Sequence, residues 1–316
     1  MTFLEDLKLH GPDATTVVPL DEARAYCARL TRSHYENFSV VTWLTPREHR
    51  PAFESIYAFC RWSDDLGDEV GDPARSLELL AWWRESLTAM YAGNATHPVF
   101  QALAGTVARY AIPPEPFHDL ISAFEQDQRM PEYETYADLL DYCTRSANPV
   151  GRLVLYVAGA FSPDNVRLSD STCTALQLAN FWQDVARDLA IGRVYLPRED
   201  RERFGYHDAD LRGLVFNPAF ASLMRFQVDR TRDLFAAGLP LVKRIPGPLA
   251  VDVDLFSRGG LAILDRIESA GYDVLSARPA LSRAAKVGLL LRAVVGMVGS
   301  RLRASSPVPV AAEPGP

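Results

Sequence analysis

The sequence predicts an all-α protein, and three observations support this fold class. Apolar residues recur at steps of three and four along most of the chain, as they do in helices that bury one face. Alternating β-branched runs between turns, which would indicate strands, are essentially missing. Finally, Pro46 and Pro218 each follow a helix-capping residue, and Gly192 and Gly271 suit helix ends.

Seven helices are predicted before Pro218 and three or more after it. They are expected over residues 20–32, 47–69, 73–91, 97–110, 115–128, 136–160 and 164–190. The sixth contains Asn148-Pro149 and Gly151, which should kink it or free carbonyls that line a cavity. No linker separates the helices, so residues 1–303 are predicted to form one domain. Residues 304–316, rich in Pro and Ala, are predicted to be a disordered tail.

Composition and charge exclude several classes of protein. Hydrophobic residues make up 48% of the chain, which is ample for a large core. The net charge is -7 and no basic stripe is present, so nucleic acid is not an expected partner. The apolar run 287–298 is interrupted by Arg292 and is shorter than the roughly 20 residues that span a bilayer. Four scattered cysteines and an acidic start without a signal sequence indicate the cytoplasm.

Two acidic patches, each near the end of a predicted helix, carry the strongest chemical signal. In the first patch, the apolar stripe of residues 53–60 continues into Asp64 and Asp68. These two carboxylates lie one helical turn apart, about 6 Å along the axis, and should point where the apolar residues point. Oxygen ligands at that spacing suit a hard cation such as Mg²⁺.

The second patch places four oxygen-bearing side chains on one helix face. Gln177, Asn180, Asp184 and Asp188 follow each other at steps of three, four and four. A single acidic patch is usually a solvated helix end. Two inward patches are harder to explain without a metal, since like charges about 4 Å apart repel by roughly 4 kcal/mol at an effective dielectric of 20. The pair therefore predicts a magnesium cluster that grips a diphosphate between two helices.

With these motifs, the chain resembles the squalene and phytoene synthase family over about residues 20–300. The first matching segment is Tyr57-Ala58-Phe59-Cys60-Arg61 with the acids that follow it, and the second runs from Leu176 to Pro197. The resemblance implies the all-helical isoprenoid synthase fold of class I terpenoid synthases, a single domain with a central cavity. It also implies a magnesium cluster that binds and ionises a prenyl-type diphosphate.

The resemblance assigns roles to individual residues of this chain. Metal ligands are expected at Asp64, Asp68, Asn180, Asp184 and Asp188. Catalytic roles are expected for Arg61, Tyr142, Gln177 and Tyr195. Substrate contacts are expected, besides Arg61, from His34, Tyr57, Asn148, Gln183, Arg193, Arg278 and Lys286. Taken alone, Arg61 could instead be a surface ion pair and Tyr195 a core phenol.

Two departures from the family pattern point to one branch of it. Many condensing members carry a His-Ser-x-Ser-Phe segment, whereas this chain has His34-Tyr35-Glu36-Asn37-Phe38. Members that join two prenyl diphosphates usually have an arginine where this chain has Gln183. Fewer phosphate donors favour one bound diphosphate, and these segments resemble the bacterial hydroxysqualene synthase branch of hopanoid-type squalene biosynthesis. Asn148 or Gln183 is a candidate for orienting the water of this reaction.

The expected reaction converts presqualene diphosphate to hydroxysqualene, with release of pyrophosphate and capture of the carbocation by water. It needs no nicotinamide cofactor, and the chain lacks a GxGxxG motif. One alternative is head-to-head condensation of two prenyl diphosphates to squalene, presqualene diphosphate or phytoene. The other is a non-catalytic lipid-binding scaffold.

The lipid substrate leads us to expect a cytoplasmic protein that contacts the inner membrane surface and neighbouring squalene-pathway enzymes. Residues 287–302 could provide the membrane contact, since Lys286, Arg292 and Arg301 would suit anionic headgroups. The alternative for this segment is an apolar core helix with ordinary flanking charges.

Overall fold

The computed structural model describes residues 2–14, 17–33, 45–130 and 132–282. In this part of the chain every named element is a helix, and Glu132 and Val194 form a single isolated β-bridge. The α-helices are α1 (Phe3–His10), α2 (Leu20–Ser33), α3 (Arg50–Asp68), α4 (Pro73–Tyr91), α5 (Pro98–Tyr110), α6 (Glu115–Asp127), α7 (Tyr136–Ser146), α8 (Asn148–Val157), α9 (Pro163–Ala190), α10 (Arg198–Arg203), α11 (Asp208–Arg212), α12 (Pro218–Gly238) and α13 (Leu249–Ser269). A 3-10 helix, Leu239–Lys243, follows α12. The predicted all-α class is confirmed.

Most predicted helix boundaries agree with the structure to within a few residues, and one start is wrong. Pro218 begins α12 behind Asn217, whose side chain accepts a hydrogen bond from the Phe220 amide. Pro46 does not begin a helix: it lies in a turn, and α3 starts at Arg50 with Pro51 in its first turn. The predicted segment 287–302, the tail 304–316 and the departure at residues 34–38 lie outside the described residues.

The predicted helix over residues 136–160 is two helices that meet at Ala147. The backbone angles of Ala147, φ -122° and ψ -47°, are not helical, and Pro149 then occupies the first turn of α8. Gly151 allows α8 to pack closely on α9, because a Cβ at this position would lie 2.3 Å from Ser169 Oγ and 2.5 Å from Cys173 Sγ. Pro149 thus fixes the position of the break, and Gly151 permits the close contact between α8 and α9.

The helices bury two large apolar clusters, and a cavity lies next to a third, smaller one that includes Leu155, Leu241 and Val253. One large cluster lies among α2 to α6, and the other large cluster gathers α7, α9, α12 and α13. The cavity, of about 330 Å³, is lined by the α7–α8 break, by the middle of α9 and by α13. Ala147 and Gly151 contribute to its wall, as predicted for the helix interruption, and Gln177 and Asn180 lie on its α9 side.

Candidate active site

The first acidic patch is the C-terminal end of α3. The Asp65 side chain is 7% exposed, whereas those of Asp64 and Asp68 are 42% and 37% exposed. Asp64 and Asp68 were expected to face the core, but solvent still reaches both at this end of the helix. Burial raises the pKa of Asp64 to about 6, and the neighbouring charge of Asp68 acts in the same direction.

Arg61 neutralises part of this patch from within the same helix. Its Nε donates to Asp65 Oδ2 at 2.9 Å, and its Nη2 donates to Asp65 Oδ1. Its Nη1 also donates to Asp64 Oδ2 at 3.3 Å. Since Arg61 precedes these acids by three and four residues, the contacts form as soon as the helix does. A guanidinium held in this way presents a fixed positive charge beside the predicted metal ligands.

The second acidic patch is the C-terminal end of α9. Arg278 binds Asp184 through two hydrogen bonds: its Nη2 donates to Oδ2 at 2.8 Å and its Nε to Oδ1. Burial raises the pKa of Asp188 to about 7, with the Asp184 charge adding to the effect. Asn180 and Gln177, one and two turns before Asp184, line the cavity. The acids at the helix end are therefore continuous with the cavity wall.

Arg193 joins the two patches. It follows Gly192, whose φ of +80° turns the chain directly after α9. Its amide donates to the Asp188 carbonyl at 2.8 Å, while its Nη2 donates to Asp68 Oδ1 at 2.6 Å. The charge of Arg193 also lowers the pKa of Asp64 and of Asp188, against the larger opposing effect of burial. Arg193 therefore links the two acidic helix ends, through its guanidinium to α3 and through its backbone amide to α9.

An aromatic cluster lies beside the acids. Phe181 of α9 stacks on Tyr195 with ring centroids 3.8 Å apart, and Tyr142 of α7 lies 6.0 Å from Tyr195. Tyr133 completes the cluster at 5.8 Å from Tyr195 and 5.5 Å from Tyr142. All four rings are at least nine-tenths buried. Tyr195 is thus a core phenol, as its alternative interpretation held, and it is also packed next to the predicted site.

Asp127, the last residue of α6, is a site residue that the sequence reasoning missed. Its Oδ2 accepts a hydrogen bond from Tyr142 Oη at 2.8 Å. Burial raises its pKa to about 6, and Arg193, Asp68 and Asp64 are near enough to affect it. A carboxylate in the last turn of a helix opposes the helix dipole, and this signal could have identified Asp127.

Gln183 and Asn148, both predicted to contact substrate or water, are buried and engaged with protein atoms. Gln183 Nε2 donates to the Pro279 carbonyl, and its Oε1 accepts from Arg278 Nη2 at 3.1 Å. Asn148 Oδ1 accepts from Thr174 Oγ1 at 2.9 Å. Tyr57 is half-buried on α3 near Arg61. His34 and Lys286 lie outside the described residues.

The donor set at this site fits Mg²⁺. The predicted ligands are all oxygen donors, and Asp64 and Asp188, whose pKa values are raised mainly by burial and further by the charges of Asp68 and Asp184, would gain a counter-charge from a bound cation. In the described ranges, no three His, Cys, Asp or Glu side chains form a group that could hold a metal by themselves. Mg²⁺ does not require such a group, because it takes one or two carboxylates and completes its octahedron with phosphate oxygens and water.

The fold and the paired acidic helix ends define a protein of the isoprenoid synthase class. Residues 31–285 match the family model described as squalene/phytoene synthase. The chain belongs to the squalene/phytoene synthase family, whose members act on prenyl diphosphates.

Known proteins of this family are similar over most of the chain. The phytoene synthase of Arthrospira platensis is 31% identical over 85% of this chain and 91% of its own. The presqualene diphosphate synthase of Rhodopseudomonas palustris is 30% identical over 81% of this chain and 92% of its own. The crystal structure of squalene synthase HpnC from Alicyclobacillus acidocaldarius is 48% identical, covers 81% of this chain and 97% of its own, and has a TM-score of 0.77.

None of the helices in the described part of the chain is long and apolar enough to cross a membrane.

Proposed function

We propose that the protein converts presqualene diphosphate to hydroxysqualene in a magnesium-dependent reaction that releases pyrophosphate. The observation that carries this proposal is the environment of Gln183. Its side chain is neutral and both ends of its amide are bonded to Arg278 and Pro279, so residue 183 adds no cation of its own, beyond Arg278, for a second diphosphate. The 48% identity to a squalene synthase, against about 30% to the phytoene and presqualene diphosphate synthases, supports a place in the squalene branch.

Three arginines are placed to bind the diphosphate. Arg61, Arg193 and Arg278 each lie on carboxylates of the two acidic helix ends. Guanidinium groups match phosphate oxygens as well as they match carboxylates, so each can pass from one to the other. Mg²⁺, held by Asp64, Asp68, Asn180, Asp184 and Asp188, would neutralise the charge that develops on the departing pyrophosphate.

The cavity would enclose the carbocation that is left when the bond from carbon to the diphosphate oxygen breaks. Its wall is mostly apolar, with Val150, Val154 and Leu176 among the lining residues, which limits access by bulk water. Tyr142 and Tyr195 are not among the described residues that line the cavity, but their rings lie next to the acids, where they can stabilise positive charge without attacking it. A water then forms the new carbon–oxygen bond and loses one proton to pyrophosphate or to solvent. No redox step is needed, and no nicotinamide cofactor is proposed.

A second candidate is head-to-head condensation of two prenyl diphosphates. The similarity to phytoene synthases and to a presqualene diphosphate synthase favours it. Both candidates use the same acids, so only the substrate separates them. The lipid-binding scaffold is less favoured, because a scaffold does not need the predicted ligands or the three arginines on them.

Substrate feeding tests the proposal. The purified full chain would be incubated with Mg²⁺ and either farnesyl diphosphate or presqualene diphosphate, and products would be analysed by gas chromatography and mass spectrometry. We expect hydroxysqualene from presqualene diphosphate and no product from farnesyl diphosphate. Conversion of farnesyl diphosphate would support the condensing candidate. Inertness toward both substrates, together with unchanged pathway flux in a host complemented with the Asp64→Asn, Asp184→Asn variant, would support the scaffold.

We propose that residues 1–303 act as one catalytic domain without residues 304–316. The protein is further proposed to contact the inner membrane surface and neighbouring pathway enzymes, because its substrate is a lipid. Co-sedimentation with liposomes that contain anionic lipid would test the membrane contact, with Arg292→Gln and Arg301→Gln as the variants and neutral liposomes as the control.

A further inference from the structure

Asp127 is a buried acid that the proposed reaction does not yet use. It ends α6, whereas the two acidic patches end α3 and α9, so a third helix brings a carboxylate to the same place. Its side chain accepts a hydrogen bond from the phenol of Tyr142. This phenol is 3% exposed, and a hydroxyl buried to that degree requires a partner.

The two residues form a rigid unit. Tyr142 Oη donates to Asp127 Oδ2 at 2.8 Å, a distance typical of an O–H···O hydrogen bond. The ring is also fixed from the sides, by Tyr133 at 5.5 Å, Tyr195 at 6.0 Å and Phe181 at 6.2 Å between centroids. With its hydroxyl bound at one end and its sides packed, the ring has a single orientation.

The position of Tyr142 connects the acids to the cavity. One turn further along α7, Ser146 lines the cavity, and on α9 the cavity-lining Asn180 adjoins Phe181, which packs on Tyr142. Tyr142 is not itself among the described residues that line the cavity; it lies directly behind this part of the wall and bonds to a carboxylate next to the two acidic helix ends, near the place where a carbocation would first exist. A carboxylate that accepts the phenol proton in a hydrogen bond increases the electron density of the ring, and a cation is attracted to that density.

We infer that Asp127 is a positioning residue of the reaction: through its hydrogen bond it orients the Tyr142 ring and strengthens its attraction for the carbocation. Asp127 does not ligate metal in this assignment, and Tyr142 keeps its proton throughout. The inference rests on the proposed ionisation of a prenyl-type diphosphate. It does not depend on whether the cation is afterwards captured by water or joined to a second prenyl chain.

A double-mutant cycle tests whether Asp127 acts through Tyr142. The four proteins are the wild type, Asp127→Asn, Tyr142→Phe and the double variant, assayed by pyrophosphate release with the prenyl diphosphate that the wild type converts. We expect each single variant to lose about 10- to 100-fold in kcat, and the double variant to lose no more than Tyr142→Phe alone. Multiplying losses would overturn the inference, because Asp127 would then act independently.

Two further readouts separate positioning from a structural or metal-binding role. The Mg²⁺ concentration for half-maximal rate should be unchanged in Asp127→Asn and raised in Asp64→Asn. In protein labelled with ¹³C at tyrosine Cζ, the signal that disappears in Tyr142→Phe should shift in Asp127→Asn. It should not shift in the matched control Asp141→Asn, whose exposed side chain precedes Tyr142 and pairs with Arg145.

Each outcome identifies what has failed. A raised Mg²⁺ requirement in Asp127→Asn would make this residue a metal ligand, and an unshifted signal would mean that its charge does not reach the phenol. Either result overturns the assignment of Asp127 alone. If the wild type does not convert presqualene diphosphate but converts farnesyl diphosphate, the proposed function fails, and the cycle is still measured with farnesyl diphosphate.

Discussion

The acidic ends of α3 and α9 carry the same side chains but are stabilised in different ways. On α3, Arg61 reaches Asp64 and Asp65 within one turn of the same helix. On α9, Arg187 of the same helix lies 3.7 Å from Asp184, but both hydrogen bonds to this carboxylate come from Arg278, which is 94 residues further along the chain. The contacts of Asp64 and Asp65 therefore form with α3 itself, whereas Asp68 acquires its contact only from Arg193, and Asp184 acquires its hydrogen bonds only when the segment after α13 has packed.

The turn that delivers Arg278 has its own structural determinants. Tyr272 adopts a left-handed φ of +68°, and Asp273 Oδ1 accepts hydrogen bonds from the amides of Leu275 and Ser276. Val274 is 2% exposed and anchors the turn in the core. The spacing of the acids thus indicates the chemistry of the site. The conformation of a distant segment determines whether Asp184 is held in place for substrate.

The largest expected effect comes from removing one predicted ligand at either end. Asp64→Asn and Asp188→Asn should each lower pyrophosphate release by roughly 10³-fold, since charge stabilisation of the leaving group is lost while shape is kept. Asp229→Asn, on the exposed face of α12, is the matched control and should keep full activity. If only one end proved sensitive, the diphosphate would not be held between the two.

The next effect contrasts the two arginines. Arg278→Ala should lower kcat/KM by roughly 100-fold, about 2.7 kcal/mol, and should also raise the Mg²⁺ requirement, because Asp184 loses the contact that orients it. Arg61→Ala should lower the rate similarly. Its effect on thermal stability should be smaller, because its contacts are local. Steady-state kinetics and calorimetry on both variants measure this contrast, and equal losses of stability would contradict it.

The pH dependence of stability is a more moderate effect. Folded-state pKa values of about 6 for Asp64 and about 7 for Asp188 lie above the ordinary 3.8, so the folded protein holds these protons more tightly than the unfolded chain. Their stabilising contribution is present below about pH 4 and is lost as the pH rises through about 7. The contribution of Asp64 is the smaller, because its side chain is 42% exposed.

Calorimetry without metal should therefore show a Tm that falls between about pH 4 and pH 7, with a weaker fall in Asp188→Asn. Mg²⁺ with pyrophosphate should raise the Tm most at the upper end of this range, since both groups bind metal only when deprotonated. An identical pH profile for the wild type and Asp188→Asn would show that Asp188 is not responsible.

The smallest effect concerns the cavity wall away from the acids. Gly151→Ala places a Cβ against Ser169 and Cys173 and should destabilise the fold by about 1–3 kcal/mol. Gly105→Ala, where a Cβ meets nothing within 4 Å, is the control and should be neutral or slightly stabilising. Chemical denaturation measures both variants. A neutral Gly151→Ala would mean that α8 and α9 can separate at little cost.

Sequence periodicity predicts helices well here because nearly every helix buries one face, as α3 does with Phe59, Trp62 and Leu66. It fails at Pro46, since a proline after a possible capping residue is equally compatible with a turn. The acids of both patches could be found from their spacing. Their partners could not, because Arg278 and Asp127 reach the site through tertiary packing that no local pattern encodes.

The most direct test of the proposed function is to incubate the protein with Mg²⁺ and presqualene diphosphate in ¹⁸O-labelled water. Hydroxysqualene that carries one ¹⁸O atom, with none formed by Asp188→Asn, is the predicted result. Product without the label, or label-free condensation products from farnesyl diphosphate, would contradict the proposal that a single diphosphate is ionised and its cation captured by water.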